Sequence, residues 1–319
     1  MGEKVSLSLR EFYGKTLVEL GKANKDIVVL DADLSGSTKT STFAKEFPDR
    51  FFNMGISEQD LIGTSAGLAA GGKIPFASTF AVFATGRAWE QIRQSVCYPK
   101  QNVKIVATHG GLTVGPDGPS HQALEDIAIM RAIPYMNVVV PADAYEAVAA
   151  VRYAAEMDGP IYIRLARDKF PVIYDEKKKF TLGKSDKVKE GKDLTFIACG
   201  LMVHTALEAA EQLEKEGLSA AVINMSSIKP LDEKAVVSAA RDTGAIVTVE
   251  EHSIIGGLGG AVCETLSSSY PVPVKRVGVL DRFCSSGSAE ELVECYNLNV
   301  KTVLEAARAS LEMKKNGKK

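Results

Sequence analysis

Two of the chain's four histidines lie twelve residues apart in one segment, Thr108-His109-Gly110-Gly111-Leu112-Thr113-Val114-Gly115-Pro116-Asp117-Gly118-Pro119-Ser120-His121-Gln122. An imidazole exchanges protons near neutral pH. Asp117, four residues before His121, adds an acceptor for hydroxyl groups. Glycine and proline make up six of these 15 residues, so the backbone turns repeatedly and can approach a ligand closely. Core packing does not call for such a composition. The segment reads as a site.

A second candidate is Asn53-Met54-Gly55-Ile56-Ser57-Glu58-Gln59-Asp60, at a strand-to-helix junction. Ser57 is placed to cap the helix, and Glu58, Gln59 and Asp60 fill its first turn. Acidic residues there suit the helix dipole and need no other reason. Spacing alone therefore leaves Glu58 open between a structural and a catalytic role. The third candidate is Ala77-Ser78-Thr79-Phe80-Ala81-Val82-Phe83. Its two phenylalanines, three residues apart, suit a core face or a wall for a flat heteroaromatic ring.

The elements that must hold these residues alternate between two periods. Ile27 to Leu30, Val103 to Ala107, Asn137 to Val140 and Ile161 to Leu165 are β-branched runs of the kind found in parallel strands covered on both faces. Helical patterns occupy Leu9 to Lys22 and Ala142 to Glu156, and a further helix is predicted to begin near Ala123. The class is α/β, and in open α/β sheets ligands gather at the carboxyl ends of strands, where the three candidate segments fall. A lysine-rich stretch, Tyr174 to Asp193, interrupts the rhythm and reads as a solvated connection more than a phosphate-binding strip. Strands at Leu194 to Ala198, Ala220 to Asn224, Ala245 to Val249 and Val274 to Val279 follow it. Helices alternate with them at Thr205 to Lys215, Asp232 to Arg241 and Gly259 to Ser267, and the chain is helical from Ala289 onward. The predicted division is a first domain over 1–173, a charged linker over 174–191 and a smaller α/β domain over 192–319.

The 319 residues carry 38 basic and 40 acidic side chains, a formal charge of −2. That balance argues against nucleic acid or an anionic membrane as the main partner. No apolar stretch approaches a membrane span, and Met1 to Val5 have no apolar signal core, which argues against secretion. Five scattered cysteines without a Cys-x-x-Cys pair fit reduced thiols in a cytoplasm. Ile255-Gly256-Gly257-Leu258-Gly259-Gly260-Ala261 imitates a dinucleotide loop, but it misses the G-x-G-x-x-G spacing and the first βαβ context. A close helix-to-sheet turn explains it better. Glu250, Glu251 and His252 beside it read as interface or structural residues.

Taken together, Asp117-Gly118-Pro119-Ser120-His121-Gln122, the Gly-Ile-Ser-Glu-Gln-Asp run around Glu58 and Ser78 to Phe83 resemble the C-terminal half of the transketolases, in the expected order and spacing. The resemblance covers nearly the whole chain. It implies a parallel-sheet pyrimidine-binding domain of the thiamine-diphosphate enzymes, followed by a smaller α/β transketolase C-terminal domain. By that resemblance, Glu58 corresponds to the glutamate that hydrogen-bonds N1′ of the cofactor's aminopyrimidine. Phe80 and Phe83 correspond to the aromatic residues against that ring, and their packing would help Glu58 to hold a shared proton. Asp33 matches an aspartate near the cofactor. His121 and Asp117 match residues that bind donor hydroxyls and assist proton transfer. His109, Arg10, Ser37 and Arg167 match the group that grips a sugar phosphate, where guanidinium groups suit the anion.

Two departures bear on substrate shape. His109-Gly110-Gly111 stands where the family often has His-Asp-Ser, and Gly86 stands where a tyrosine is usual. A third is larger: the Gly-Asp-Gly motif that leads the magnesium and diphosphate site does not occur. The resemblance therefore implies half an enzyme. Thiamine diphosphate would lie between this chain and a separate N-terminal subunit that supplies the Mg2+ ligands, in an assembly with two copies of each chain (α2β2). The implied reaction moves a two-carbon ketol unit from a ketose phosphate of the xylulose 5-phosphate type to an aldose phosphate, in the cytoplasm. The β subunit of a 2-oxo-acid dehydrogenase, a deoxyxylulose-phosphate synthase half and a non-catalytic module of the same fold are the alternatives. A hydride-transfer dehydrogenase is disfavoured without a dinucleotide fingerprint, and a hydrolase without a nucleophile elbow.

Overall fold

The computed structural model describes residues 5–316; the reading of Met1 to Lys4 and the last three residues of the predicted C-terminal helix lie outside them. The strands in chain order are β1 (Ser6–Ser8), β2 (Ile27–Asp31), β3 (Phe51–Asn53), β4 (Ile74–Ser78), β5 (Lys104–Ala107), β6 (Asn137–Val139) and β7 (Ile161–Arg164). They continue with β8 (Lys169–Pro171), β9 (Asp186–Lys189), β10 (Leu194–Ala198), β11 (Ala220–Asn224), β12 (Ser227–Lys229), β13 (Ile246–Ser253) and β14 (Val274–Val279). The first sheet runs β12-β6-β7-β5-β4-β2-β3, all parallel except β12. The second runs β14-β13-β10-β11-β9, parallel except β9. β1 and β8 form a small antiparallel ribbon.

Strands β2, β5, β7, β10 and β11 are buried at every residue, as strands between two helical layers must be. Period two divides their side chains. Ile27 and Val29 join Leu9, Tyr13 and Leu17 of helix Leu9–Ala23 on one face. Val28 and Leu30 pack on the other face with Leu61 and Ile62 of helix Glu58–Ala70. That second core continues through Ile127 and Met130 into Ile197, Ile223, Leu258 and Val262 of the C-terminal sheet and helix, so the two sheets share apolar packing.

The lysine-rich stretch contains β9, the antiparallel edge of the second sheet. β12 follows β11 in sequence yet returns to pair with β6 of the first sheet. The helix predicted near Ala123 begins instead at Asp126 and runs to Arg131. The preceding residues are engaged elsewhere: the Ala123 carbonyl accepts from Gly111 N and the Leu124 carbonyl from Ser253 N. Ser57 precedes helix Glu58–Ala70 but makes no side-chain cap, its φ −148° and ψ 76° lying away from cap geometry. The glycines at 257 and 259 serve close packing. A Cβ at Gly257 would strike the Glu250 carboxylate, and one at Gly259 would meet Thr248 and Arg276.

Candidate functional site

Consecutive parallel strands of the first sheet each deliver a candidate residue just beyond their carboxyl ends. Asp33 follows β2, Glu58 follows β3, Phe80 follows β4, His109 follows β5 and Arg167 follows β7. Since β7, β5, β4, β2 and β3 are neighbours in that order, one edge of the sheet gathers the set.

The centre is a stack of rings. Phe80 and His109 lie face to face with centroids 3.6 Å apart, and Phe83 is 5.8 Å from Phe80 at an interplanar angle of 15°. His121 meets Phe83 and Phe80 edge-on, at 5.2 Å and 6.1 Å. Ser120 Oγ and Thr108 Oγ1 lie within hydrogen-bonding distance of Nδ1 of His121 and of His109, at 2.9 Å and 2.8 Å. Each imidazole thereby has one nitrogen engaged locally. His109 adopts φ +60°, the left-handed region that few residues other than glycine enter and that histidine tolerates better than most.

On one side of the stack stands a cationic group. Arg10 donates through Nε to the Arg167 carbonyl at 2.9 Å and through Nη1 to the Ser37 carbonyl at 2.7 Å. Arg167 donates to the Val114 carbonyl and reaches Asp117 Oδ1 at 3.3 Å. Ser37 enters this network through its backbone. Burial and then Arg167 lower the pKa of the Arg10 guanidinium. His109 is pushed down to about 3, by burial first and then by Arg10, Arg167 and His121. It is a neutral imidazole at physiological pH.

This has a measurable sign. An unfolded histidine takes up a proton below about 6.5 that folded His109 refuses, so the residue favours folding above that pH and opposes it progressively below. The expected cost is up to about 1.4 kcal/mol per pH unit as pH falls from about 6.5 towards 3. Urea unfolding of wild type and His109→Gln across that range checks it: the substitution should flatten the acid slope. An unchanged slope contradicts the buried neutral assignment.

On the other side of the stack is Glu58, 5% exposed. Its Oε1 accepts from Arg87 Nη1 at 3.0 Å, and the same guanidinium lies 4.2 Å from the Phe83 centroid. The polar partner of the carboxyl is thus Arg87, where the sequence suggested packing on the phenylalanines. Arg87 went unnoticed in the sequence, although Phe83 and Arg87 at i and i+4 on one helix place a cation over a ring. Asp33, exposed and at φ +63°, is held by reciprocal bonds with Asn53 at 3.0 Å and 3.1 Å.

The loop carrying Asp117 and His121 is seated on the C-terminal domain. Thr113 N donates to Glu251 Oε1 at 2.5 Å, and Gln122 Nε2 donates to the Ser285 carbonyl at 3.1 Å. Gly111 has φ +93°, and a Cβ there would run into the Glu251 carboxylate, so glycine is required twice over. Glu251, read from sequence as structural, is the loop's anchor. Glu250 accepts from Leu258 N and Gly259 N at 2.7 Å and 2.8 Å, capping the next helix.

The candidate residues therefore form a continuous run from Glu58 through Arg87, Phe83 and the two histidines to Arg10, Arg167 and Asp117; Asp33 stands beside it with Asn53. A buried carboxyl next to a ring stack suits a flat nitrogen heterocycle. Among the described residues Oε2 of Glu58 has no protein partner, and Glu58 and Arg87, with Ile56, Ser57 and Gln59, line a cavity of about 410 Å³. These residues fit the pyrimidine end of a cofactor. The metal end is different: among the described residues no group of three His, Cys, Asp or Glu side chains is arranged to hold a metal. No helix among them is long and apolar enough to cross a membrane.

Comparison with known proteins places both halves of the chain. Residues 5–172 match the family model of the transketolase pyrimidine-binding domain, and residues 183–303 that of the transketolase C-terminal domain. A putative transketolase C-terminal section from Methanocaldococcus jannaschii is 53% identical over 310 residues, spanning 96% of both chains. A 6-deoxy-6-sulfo-D-fructose transketolase subunit from a Clostridium species is 43% identical, over 96% of this chain and 95% of that one. Among solved structures, a split-gene transketolase described as an inactive β4 tetramer superposes with a TM-score of 0.91 at 56% identity, over 97% of this chain and 99% of that one.

Proposed function

Because this chain belongs to the transketolase family, we propose that it is the C-terminal half of a two-chain ketol transferase. A separate subunit supplies the diphosphate and Mg2+ site, and two copies of each chain make the working assembly in the cytoplasm. Thiamine diphosphate, when bound, supplies the nucleophilic carbon that accepts and releases the two-carbon unit. This chain's residues do the rest. Phe80 and Phe83 wall the pyrimidine and exclude water, and Glu58 holds a proton against its ring nitrogen. His121, oriented through Nδ1 by Ser120, moves protons on substrate hydroxyls with its other nitrogen. Asp117, braced by Arg167, accepts from the hydroxyl next to the donor carbonyl.

The observation that carries the substrate reading is the crowding of Arg10 and Arg167 beside a buried, neutral His109. Like charges held together favour an anion between them. A phosphate fits, with Ser37 at its edge. A sulfonate is a specific second reading, because a relative 43% identical is named for a sulfo-sugar. The test is a donor panel on the two-subunit complex: xylulose 5-phosphate, 6-deoxy-6-sulfofructose and an uncharged ketose. Arg10→Ala and Arg167→Ala should each raise KM for the anionic donors about 10- to 100-fold, the loss of one or two charge-assisted hydrogen bonds. The uncharged donor should be nearly indifferent. Equal losses for all three donors would remove the anion grip from the account.

A further inference from the structure

Glu58 lies at the first turn of helix Glu58–Ala70 with one carboxylate oxygen occupied and one open. Oε1 is tied to Arg87 Nη1 at 3.0 Å, while Oε2 has no protein partner among the described residues. A carboxylate on a free side chain rotates about its terminal bond; tying one oxygen fixes the direction of the other. Arg87, half exposed, makes two further contacts. Its guanidinium rests 4.2 Å from the Phe83 centroid, and its backbone carbonyl accepts from Gln59 Nε2 at 3.2 Å. A cavity of about 410 Å³ lined by Glu58 and Arg87 adjoins this pair.

We infer that Arg87 is a positioning residue for the Glu58 carboxylate, tethering Oε1 and bracing itself on Phe83 so that Oε2 is presented to the nitrogen of the entering heterocycle. The inference rests on the reading of Glu58 as the cofactor's partner, and adds a residue that spacing at the motif does not reveal. Arg87 acts through Glu58 and through the ring at the edge of the seat. Loss of Arg87 leaves the carboxyl present but free to turn, so its effect must vanish when Glu58 can no longer make the contact.

A double-mutant cycle on the complex with a transketolase N-terminal subunit tests this, with calorimetric titration of thiamine diphosphate in excess Mg2+ as the readout. Arg87→Ala should weaken binding about tenfold, the worth of one charge-assisted hydrogen bond. In a Glu58→Ala background the same change should have almost no effect. Arg87→Lys, which restores a cation able to reach Oε1 and cover the ring, should recover at least half of the lost free energy; Arg87→Gln should not. Equal weakening in both backgrounds, or a Lys variant no better than Gln, overturns the positioning role while leaving the cofactor reading intact. A wild-type complex that binds no thiamine diphosphate overturns both.

Discussion

Replacing Glu58 by Gln should reduce ketol transfer by the two-subunit complex about 10³-fold while leaving the fold untouched. The magnitude follows from proton transfer by a positioned side chain, which contributes typically 10²–10⁴-fold. Glutamine keeps the size of the side chain and an oxygen at one end, so the ring stack of Phe80, Phe83 and His109 should persist. What it removes is the exchangeable carboxyl proton. Arg87 loses its ionic partner but keeps a neutral acceptor in the glutamine amide oxygen, so the stability cost should stay at about 1 kcal/mol. Near-unchanged urea unfolding with collapsed turnover is the expected pair of results. Retention of more than a tenth of wild-type turnover would take Glu58 out of the reaction.

The largest expected loss of stability lies at a buried arginine of the first domain that also reaches the second. Arg164 Nε donates to Asp126 Oδ2 at 2.8 Å, and Tyr162 donates to the same oxygen at 2.7 Å. Arg164 Nη2 then reaches the carbonyls of Ala123 and Glu251, at 3.0 Å and 2.9 Å. Both charged side chains are almost fully buried. Burial pulls the pKa of the Arg164 guanidinium down, yet Asp126 and Glu251 outweigh it and hold the group above its usual range. Arg164→Met leaves a buried carboxylate without its cation and takes a donor from the carbonyls of Ala123 and Glu251. Such breaks cost roughly 3–5 kcal/mol. Removing Asp126 as well, in Arg164→Met/Asp126→Leu, should recover part of that loss, because the stranded charge goes with it. Urea unfolding of the three proteins decides it; a single-variant loss below about 1 kcal/mol would mean that the buried pair does not stabilise the fold.

How much of this was legible in the sequence depended on what each residue's signal records. The run Ile27 to Leu30 could be read directly, since a strand buried on both faces leaves an unbroken apolar run. β9 and β12 could not: both are three- or four-residue edge strands, and β12's pairing with β6 is a tertiary event that no local period records. The start of helix Asp126–Arg131 was misplaced for a related reason. The backbone groups of Ala123 and Leu124 are taken by Gly111 and Ser253, so the helix starts only at Asp126. At the site, the histidine loop declared itself through glycine, proline and spacing. Arg10 and Arg167 carry no local signal at all; they are 157 residues apart and meet through a single backbone contact. Glu251, in a run that looked structural, holds the loop through Thr113, a contact visible only once both domains are folded.

If this chain is one half of a ketol-transfer site, reconstitution with its other half must restore turnover. Two-carbon transfer from ketose donors to an aldose phosphate would be measured with thiamine diphosphate and Mg2+, using this chain alone, a transketolase N-terminal subunit alone, and the two mixed. The prediction is turnover in the mixture only, abolished by Glu58→Ala in this chain. Turnover by this chain alone, or a mixture that binds the cofactor yet transfers no ketol unit from any donor in the panel, would contradict it.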